Sequence, residues 1–338
     1  MKKWIVAIIA IVCLALLAIF VKRVFDNTIQ LNPVAFRMGS RSFRWYSVFI
    51  ALGTVLGYLF MSLFGVRQGM KVEHIAQAFI MAIIFGVLGA RLYYVFSRWD
   101  RYKDNPLEIF LTQRGGLAIY GAVLGGFLAI TLYTRFKKNC SFTLFQGTDL
   151  AAAFLPLSQA IGRWGNFFNY EAYGSPTDLP WKMFIPFTHR MPGYERYEYF
   201  HPTFLYESFW DVLTFFILFF CYTKKRKHHG EVTALYFVVY SLGRIFIESL
   251  RLDSLYWGTW RAAQFTGVAL IAIGLILLII AAALYFFKFG KKGTRPKGRP
   301  APKGGLSLPQ RPGAPRLRPH RHKGGLPPSS IKVKKKNL

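Results

Sequence analysis

The sequence predicts an all-α fold: a polytopic transmembrane bundle of about eight helices, followed by a disordered basic tail. Three observations carry this. Of 338 residues, 53% are hydrophobic and 17% aromatic, more than a soluble domain of this length carries. Those residues gather into runs of about 20, the length that crosses the hydrocarbon of a bilayer. From Lys288 to Leu338 the chain holds 16 Lys or Arg and no Asp or Glu, so more than half of the net charge of +29 lies beyond the last run.

The first run, WIVAIIAIVCLALLAIFV at 4–21, follows Lys2 and Lys3. It lacks a small-residue cleavage site and is continued by VKRV, so it reads as an uncleaved helix rather than a signal peptide. Further spans are expected at 45–65, 75–97, 116–134, 149–168, 203–222, 233–250 and 262–287. An even number of spans puts both termini on one side. Lys2, Lys3, RFKK at 135–138, KKRK at 224–227 and the tail make that side cytoplasmic, although the opposite loop at 98–114 holds four basic residues. The longest external segment is 170–202, too polar and too broken by proline to span. The chain thus divides into an additional N-terminal helix (1–29), a membrane domain (30–288) and a Pro/Gly/Lys/Arg tail (289–338) that cannot bury a core.

The basic balance does not indicate nucleic-acid binding. The tail has no aromatic residue after Phe289 to stack on bases, and it reads as a solvated segment near anionic headgroups. Cys13, Cys140 and Cys221 are scattered, with neither disulfide nor metal-ligand spacing; no metal or cofactor is expected.

Polar groups within the spans carry the functional information, because an ionisable residue at membrane depth is costly unless paired. The stretch GRWGNFFNYEAYG at 162–174 ends one span. On a helix, Gln159, Arg163, Asn166 and Tyr170 share a face, and Gly162 and Gly165 permit close approach. In YSLGRIFIESLRLDS, residues 240–254, Arg244, Glu248 and Arg251 recur at i, i+4 and i+7, and Arg244 and Glu248 pair along the helix. HPTFLYES at 201–208 opens a span with His201, Tyr206 and Glu207; GGLAIYG at 115–121 and FRWYS at 43–47 bring Tyr120 and Tyr46. Taken singly, each has an ordinary reading: a snorkelling arginine, belt aromatics, interhelical glue. Taken together, Tyr46, Tyr120, Arg163, His201, Glu207 and Arg251 fall toward the outer half of their spans and Arg244 lies deeper; two or three inward arginines at similar depth repel one another, which an anionic lipid headgroup would relieve.

These motifs resemble the prolipoprotein diacylglyceryl transferase family. GRWGNFFNYEAYG is similar to its G-R-x-G-N-F-x-N-x-E-x-x-G pattern through Gly162, Arg163, Gly165, Asn166, Phe167, Asn169, Glu171 and Gly174. HPTFLYE resembles H-P-[ST]-x-L-Y-E, and GRIFIESLR resembles G-R-F-x-x-E-x-x-R at Arg244, Glu248 and Arg251. RWYS resembles x-W-Y-G, GARLYYV a G-[GA]-R-x-x-Y segment at Arg91, and GGLAIYG a G-G-[LM]-x-x-[HY]-G segment. Coverage runs from about 30 to 288, leaving the first helix and the tail as additions. Ser47 stands where a glycine is common, and Tyr120 where many relatives have histidine, so a histidine base does not carry over to that position.

The resemblance implies an enzyme of the bacterial plasma membrane. It would move the diacylglyceryl group of phosphatidylglycerol onto the lipobox cysteine in a prolipoprotein signal peptide, forming a thioether and releasing glycerol phosphate. The expected catalytic groups are Arg163 and Arg244, with Tyr120, Tyr46 or His201 taking the thiol proton. Substrate binding would add Asn166, Asn169, Glu171, Gly174, Glu207, Glu248, Arg251 and Arg91. The alternative is a transporter or binding scaffold for an anionic lipid or solute, for which inverted repeats and broken spans would be expected.

Overall fold

The computed structural model describes residues 2–104, 106–110 and 116–290. The basic tail beyond 290, including the whole of the unit Thr294–Leu338, lies outside the described residues, as does Gly115 of the GGLAIYG motif. Long helices dominate: α1 (Lys2–Phe25), α2 (Trp45–Arg67), α3 (Val72–Ser97), a single turn α4 (Trp99–Tyr102), α5 (Ile119–Phe136), α6 (Leu144–Asn169), α7 (Thr203–Phe220, with a wider turn over Cys221–Lys225), α8 (Glu231–Leu250) and α9 (Ala262–Gly290). Among the described residues, seven are long and apolar enough to cross a membrane: α1, α2, α3, α5, α7, α8 and α9.

The eighth expected span, α6, forms as a helix of 26 residues but is too polar for that criterion, since Asp149, Gln159, Arg163, Asn166 and Asn169 all lie on it. It begins earlier than expected, because Thr143 and Gln146 form a reciprocal capping box, the Thr143 hydroxyl accepting from the Gln146 amide at 3.3 Å and the Gln146 side chain accepting from the Thr143 amide at 2.8 Å. Neighbours shield it. α6 packs most extensively on α2 and α7 and also meets α8 and α5, while α3 pairs with α5 and α8 with α9.

Two apolar clusters hold the bundle. One gathers Phe154 of α6, Phe60 and Phe64 of α2, and Phe215, Leu218 and Phe219 of α7. The other lies at the C-terminal end of α6, where Phe167 stacks on Phe204 of α7 (centroids 4.9 Å apart) and meets Phe200, Met183 and Ile185 of the 170–202 segment. The last turn of α1 joins it: Val24 and Phe25 are buried there, and Phe25 lies edge-on to Phe167 and Phe204.

Three small antiparallel hairpins were not anticipated by the all-α reading: β1–β2 (Val34–Met38 with Arg41–Arg44), β3–β4 (Met183–Phe184 with Tyr199–Phe200) and β5–β6 (Tyr256–Trp257 with Trp260–Arg261). They are only 2–5 residues per strand and leave the helical class intact. Of the three, β3–β4 lies by the end of α6, where Met183 and Phe200 join the cluster around Phe167. The segment after α6 turns sharply: Tyr170 adopts a left-handed backbone (φ 53°) and its hydroxyl accepts from the Leu31 amide at 2.8 Å.

Candidate active site

The site grows from the end of α6. Four residues beyond Tyr170, the Gly174 amide donates to the His201 carbonyl (2.8 Å), the Ser175 amide donates to the Leu250 carbonyl (2.8 Å), and Gly174 bridges Arg251. A side chain at 174 would meet the Leu250 carbonyl and the His201 and Thr203 side chains at 2.9 Å. Glycine is therefore what lets this loop lie flat against α7 and α8. The Thr203 hydroxyl donates to the Ala172 carbonyl and completes the seam.

Around that seam three guanidinium groups converge on one carboxylate. Glu207, on the second turn of α7, is only 4% exposed. Arg163 of α6 brings Nη1 to 2.6 Å from Glu207 Oε2, at ion-pair distance but not aligned for a hydrogen bond. Arg244 of α8 donates to Glu207 Oε1, and Arg251 Nη1 donates to the same oxygen at 3.2 Å. Glu248 stands behind: its Oε2 is 2.6 Å from Arg244 Nη2 and 4.0 Å from Arg251 Nε. Asp211, one turn further along α7, has Oδ2 at 4.0 Å from Arg163 Nε.

The layering matters more than the count of charges. The carboxylate side chains of Glu207, Asp211 and Glu248 are 3–4% exposed, whereas those of Arg163, Arg244 and Arg251 are 21%, 19% and 12% exposed. The acids are buried, and the arginine side chains around them are partly exposed. An arriving anion meets cations first, with fork-shaped donors suited to a phosphate. Next to Arg163 in the chain, a side chain at Gly162 would meet nothing within 4 Å among the described residues.

Arg251 reaches the cluster differently from the helical expectation. α8 ends at Leu250, and Arg251 is already extended (φ −73°, ψ 144°). It is held in place by a paired contact with Asp253 (2.9 and 2.8 Å). Burial works against its charge, but Asp253 and Glu207 more than offset this and hold it protonated beyond the usual arginine range. Arg261, which the motifs did not single out, donates to the Glu248 and Arg251 carbonyls and closes the end of α8.

The remaining expected residues fall at different distances from this centre. Asn166 and Asn169 lie on the last turns of α6; Asn169 is buried, and its Oδ1 has no hydrogen-bond partner among the described residues. Glu171 is exposed. Tyr46 starts α2 against the signature helix: a side chain at Gly165 would lie 2.9 Å from the Tyr46 Cα. His201 Nδ1 is 3.2 Å from the Tyr206 hydroxyl, which accepts from Trp181 Nε1 at 2.7 Å; burial lowers the His201 pKa and favours the neutral ring. Tyr120 opens α5, its ring 6.0 Å from Tyr93 on α3. Arg91 donates to the carbonyls of Ile109 (2.7 Å), Glu108 (2.7 Å) and Gly116 (3.0 Å), so its described bonds tie the 106–116 region to α3 rather than join the cluster on Glu207.

Sequence comparison agrees with the geometry. Residues 33–280 match the family model described as prolipoprotein diacylglyceryl transferase. A protein of Fervidobacterium nodosum named phosphatidylglycerol–prolipoprotein diacylglyceryl transferase is 44% identical over 87% of this chain and 98% of its own length. Proteins of the same name from Thermotoga maritima and Acaryochloris marina are 50% and 46% identical, over 76% and 73% of this chain and 87% and 89% of theirs. With a multi-pass helical bundle and an arginine-faced site at its signature motif, the chain belongs to the prolipoprotein diacylglyceryl transferase family.

Proposed function

We propose that the chain transfers the diacylglyceryl group of phosphatidylglycerol to the cysteine thiol of a prolipoprotein signal peptide, and that the arginine face is where the lipid phosphate sits. The observation that supports this reading is the convergence of Arg163, Arg244 and Arg251 on buried Glu207 with their side chains partly exposed.

In the reaction a sulfur–carbon bond forms at the glyceryl carbon and the carbon–oxygen bond to phosphate breaks. Negative charge accumulates on the departing glycerol phosphate. Fixed guanidinium groups in a water-poor site stabilise that charge far more than they would in water. Glu207 and Glu248 keep them pre-oriented, so little reorganisation is needed when the charge develops. Asn166 and Asn169 supply amide groups beside the phosphate. The thiol, with an ordinary pKa near 8.5, must lose its proton to attack. Tyr46 packs on the signature helix and His201 has a neutral ring that can take the proton, whereas a tyrosine does so only as its phenolate; Tyr120 belongs to α5, which packs chiefly on α3.

In this reading the transferase unit runs over 30–288, with 1–29 and 289–338 as additions. The protein sits in the bacterial plasma membrane, with the signature end of α6 outside and both termini cytoplasmic. A purified-protein assay with phosphatidylglycerol and a lipobox peptide tests the assignment. The peptide cysteine gains the mass of a diacylglyceryl group with wild-type protein; no gain, with lipid bound or moved across vesicles instead, would leave the scaffold or the transporter.

A further inference from the structure

Asp211 pairs less closely with the arginines than Glu207 and Glu248 do. It is 2% exposed, and its Oδ2 has no hydrogen-bond partner among the described residues. Arg163 Nε, at 4.0 Å, is the nearest cation and is too far to donate a hydrogen bond. Two donors nearby are engaged elsewhere. Tyr236 of α8 gives its hydroxyl to Gln159 of α6 at 3.3 Å, and Arg163 is turned toward Glu207 at 2.6 Å. One turn deeper on the same face of α7, the Thr214 hydroxyl is fully buried and likewise without a partner among the described residues.

A carboxylate oxygen without a proton accepts hydrogen bonds. Leaving a buried acceptor unpaired is costly, so Asp211 Oδ2 has capacity to accept from a donor that a ligand brings. A phosphodiester cannot supply it, having no proton to give. The terminal glycerol of a phosphatidylglycerol headgroup can, because it carries two hydroxyls next to the phosphate. We propose that Asp211 is a specificity-determining residue: it accepts a hydrogen bond from a headgroup hydroxyl while the arginines hold the phosphate, and so selects a polyol headgroup over one without donors. The inference rests on phosphatidylglycerol being the lipid donor. It adds that headgroup choice is made by an acceptor on α7, one turn from the carboxylate that anchors the arginines.

The test compares two lipids that share the phosphodiester and acyl chains: phosphatidylglycerol and phosphatidylmethanol, the second lacking headgroup hydroxyls. Each is offered as diacylglyceryl donor to a lipobox peptide, and phosphatidylmethanol also as a competitor where its turnover is slow. Wild-type protein favours phosphatidylglycerol. Asp211→Ala lowers kcat/KM for phosphatidylglycerol by roughly thirtyfold, the usual effect of losing a hydrogen bond to a charged group. It changes kcat/KM, or the inhibition constant, for phosphatidylmethanol by less than about threefold, so the preference collapses. Asp211→Asn keeps the volume; it narrows the preference in the same direction and serves if the alanine variant does not fold. Equal losses on both lipids, in variants whose melting temperature is unchanged, would make Asp211 a structural or water-binding residue and overturn the proposal. An unchanged preference would overturn it as well. Failure of the wild-type protein to use phosphatidylglycerol at all would be visible before any variant is made and would overturn both this inference and the reading beneath it.

Discussion

The two ends of α6 bury charge in opposite ways. Near its start, Asp149 is 0% exposed and surrounded by donors: the Gly230 amide (2.8 Å), the Thr233 amide and hydroxyl (both 2.9 Å) and Arg226 Nη1 (3.3 Å). It serves as the N-terminal cap of α8 from another helix, an arrangement favoured by the partial positive charge there. Fourteen residues later, about 21 Å along the helix at 1.5 Å per residue, Arg163 lies against Glu207 and Asp211 with its side chain 21% exposed. One end is fully buried and satisfied, the other partly exposed: the first arrangement fixes the register of α6 against α8, and the second is the one proposed to hold a ligand.

This difference predicts opposite phenotypes. At the partly exposed end, Arg163→Ala should lower transfer by on the order of 10³-fold, typical of removing a donor that stabilises developing charge. The fold should be largely spared, because Arg244 and Arg251 still compensate Glu207. Peptide mass-gain rates and a thermal melt of the same preparation read both effects; a large melting shift with normal turnover would reverse the roles of the two ends. At the buried end, Asp149→Ala should destabilise by about 3–5 kcal/mol, as expected when one partner of a buried ion pair is removed. The folded fraction should keep most of its specific activity. A folded Asp149 variant without activity would show that this end, too, belongs to the chemistry.

Smaller effects sharpen the contrast. Gly165→Ala places a Cβ 2.9 Å from the Tyr46 backbone, forcing α2 off α6 at a cost of about 1–3 kcal/mol by overpacking. Gly162→Ala, where nothing lies within 4 Å, should melt like wild type and lose activity only if substrate occupies that space. The pair can be compared in one denaturation series. The smallest effect concerns His201, whose pKa is lowered by burial. Its neutral form contributes stability above the ordinary histidine value of about 6.5, and this is lost as pH falls through the lowered folded-state value. His201→Gln removes that dependence, so between pH 7 and pH 5 its melting temperature should fall less than that of the wild type.

Much of this was legible in the sequence for a physical reason: charges in apolar runs are few, and helical periodicity says which face they share. Arg163, Arg244 and Glu248 follow that logic into the structure, and the expected Arg244–Glu248 pair is present at 2.6 Å. Arg251 meets the cluster even though the helix has already ended, because the loop after α8 is pinned by Asp253 and Gly174. Asp211 offered the same kind of signal, an acid four residues after Glu207 in an apolar span, without being singled out. Glu207 as the shared partner of three arginines was not legible, since it depends on how three helices meet. Arg91 was legible as a motif residue, but its described bonds, to carbonyls 17–25 residues away, leave no periodic trace. The polar opening of α6 showed in the residues, but its role as a cap for α8 depends on a contact 81–84 residues distant.

The central claim is that Arg163 and Arg244 act on a single lipid phosphate, and a double-mutant cycle tests it most directly. Apparent affinity for phosphatidylglycerol is measured for the wild type, Arg163→Ala, Arg244→Ala and the double variant, each checked by its melting temperature. Two groups that share one ligand atom cluster are coupled, so the double variant should fall short of the product of the single losses by about tenfold or more, a coupling of about 1.4 kcal/mol. Losses that simply multiply would mean that the two arginines serve separate sites, and would contradict a shared phosphate.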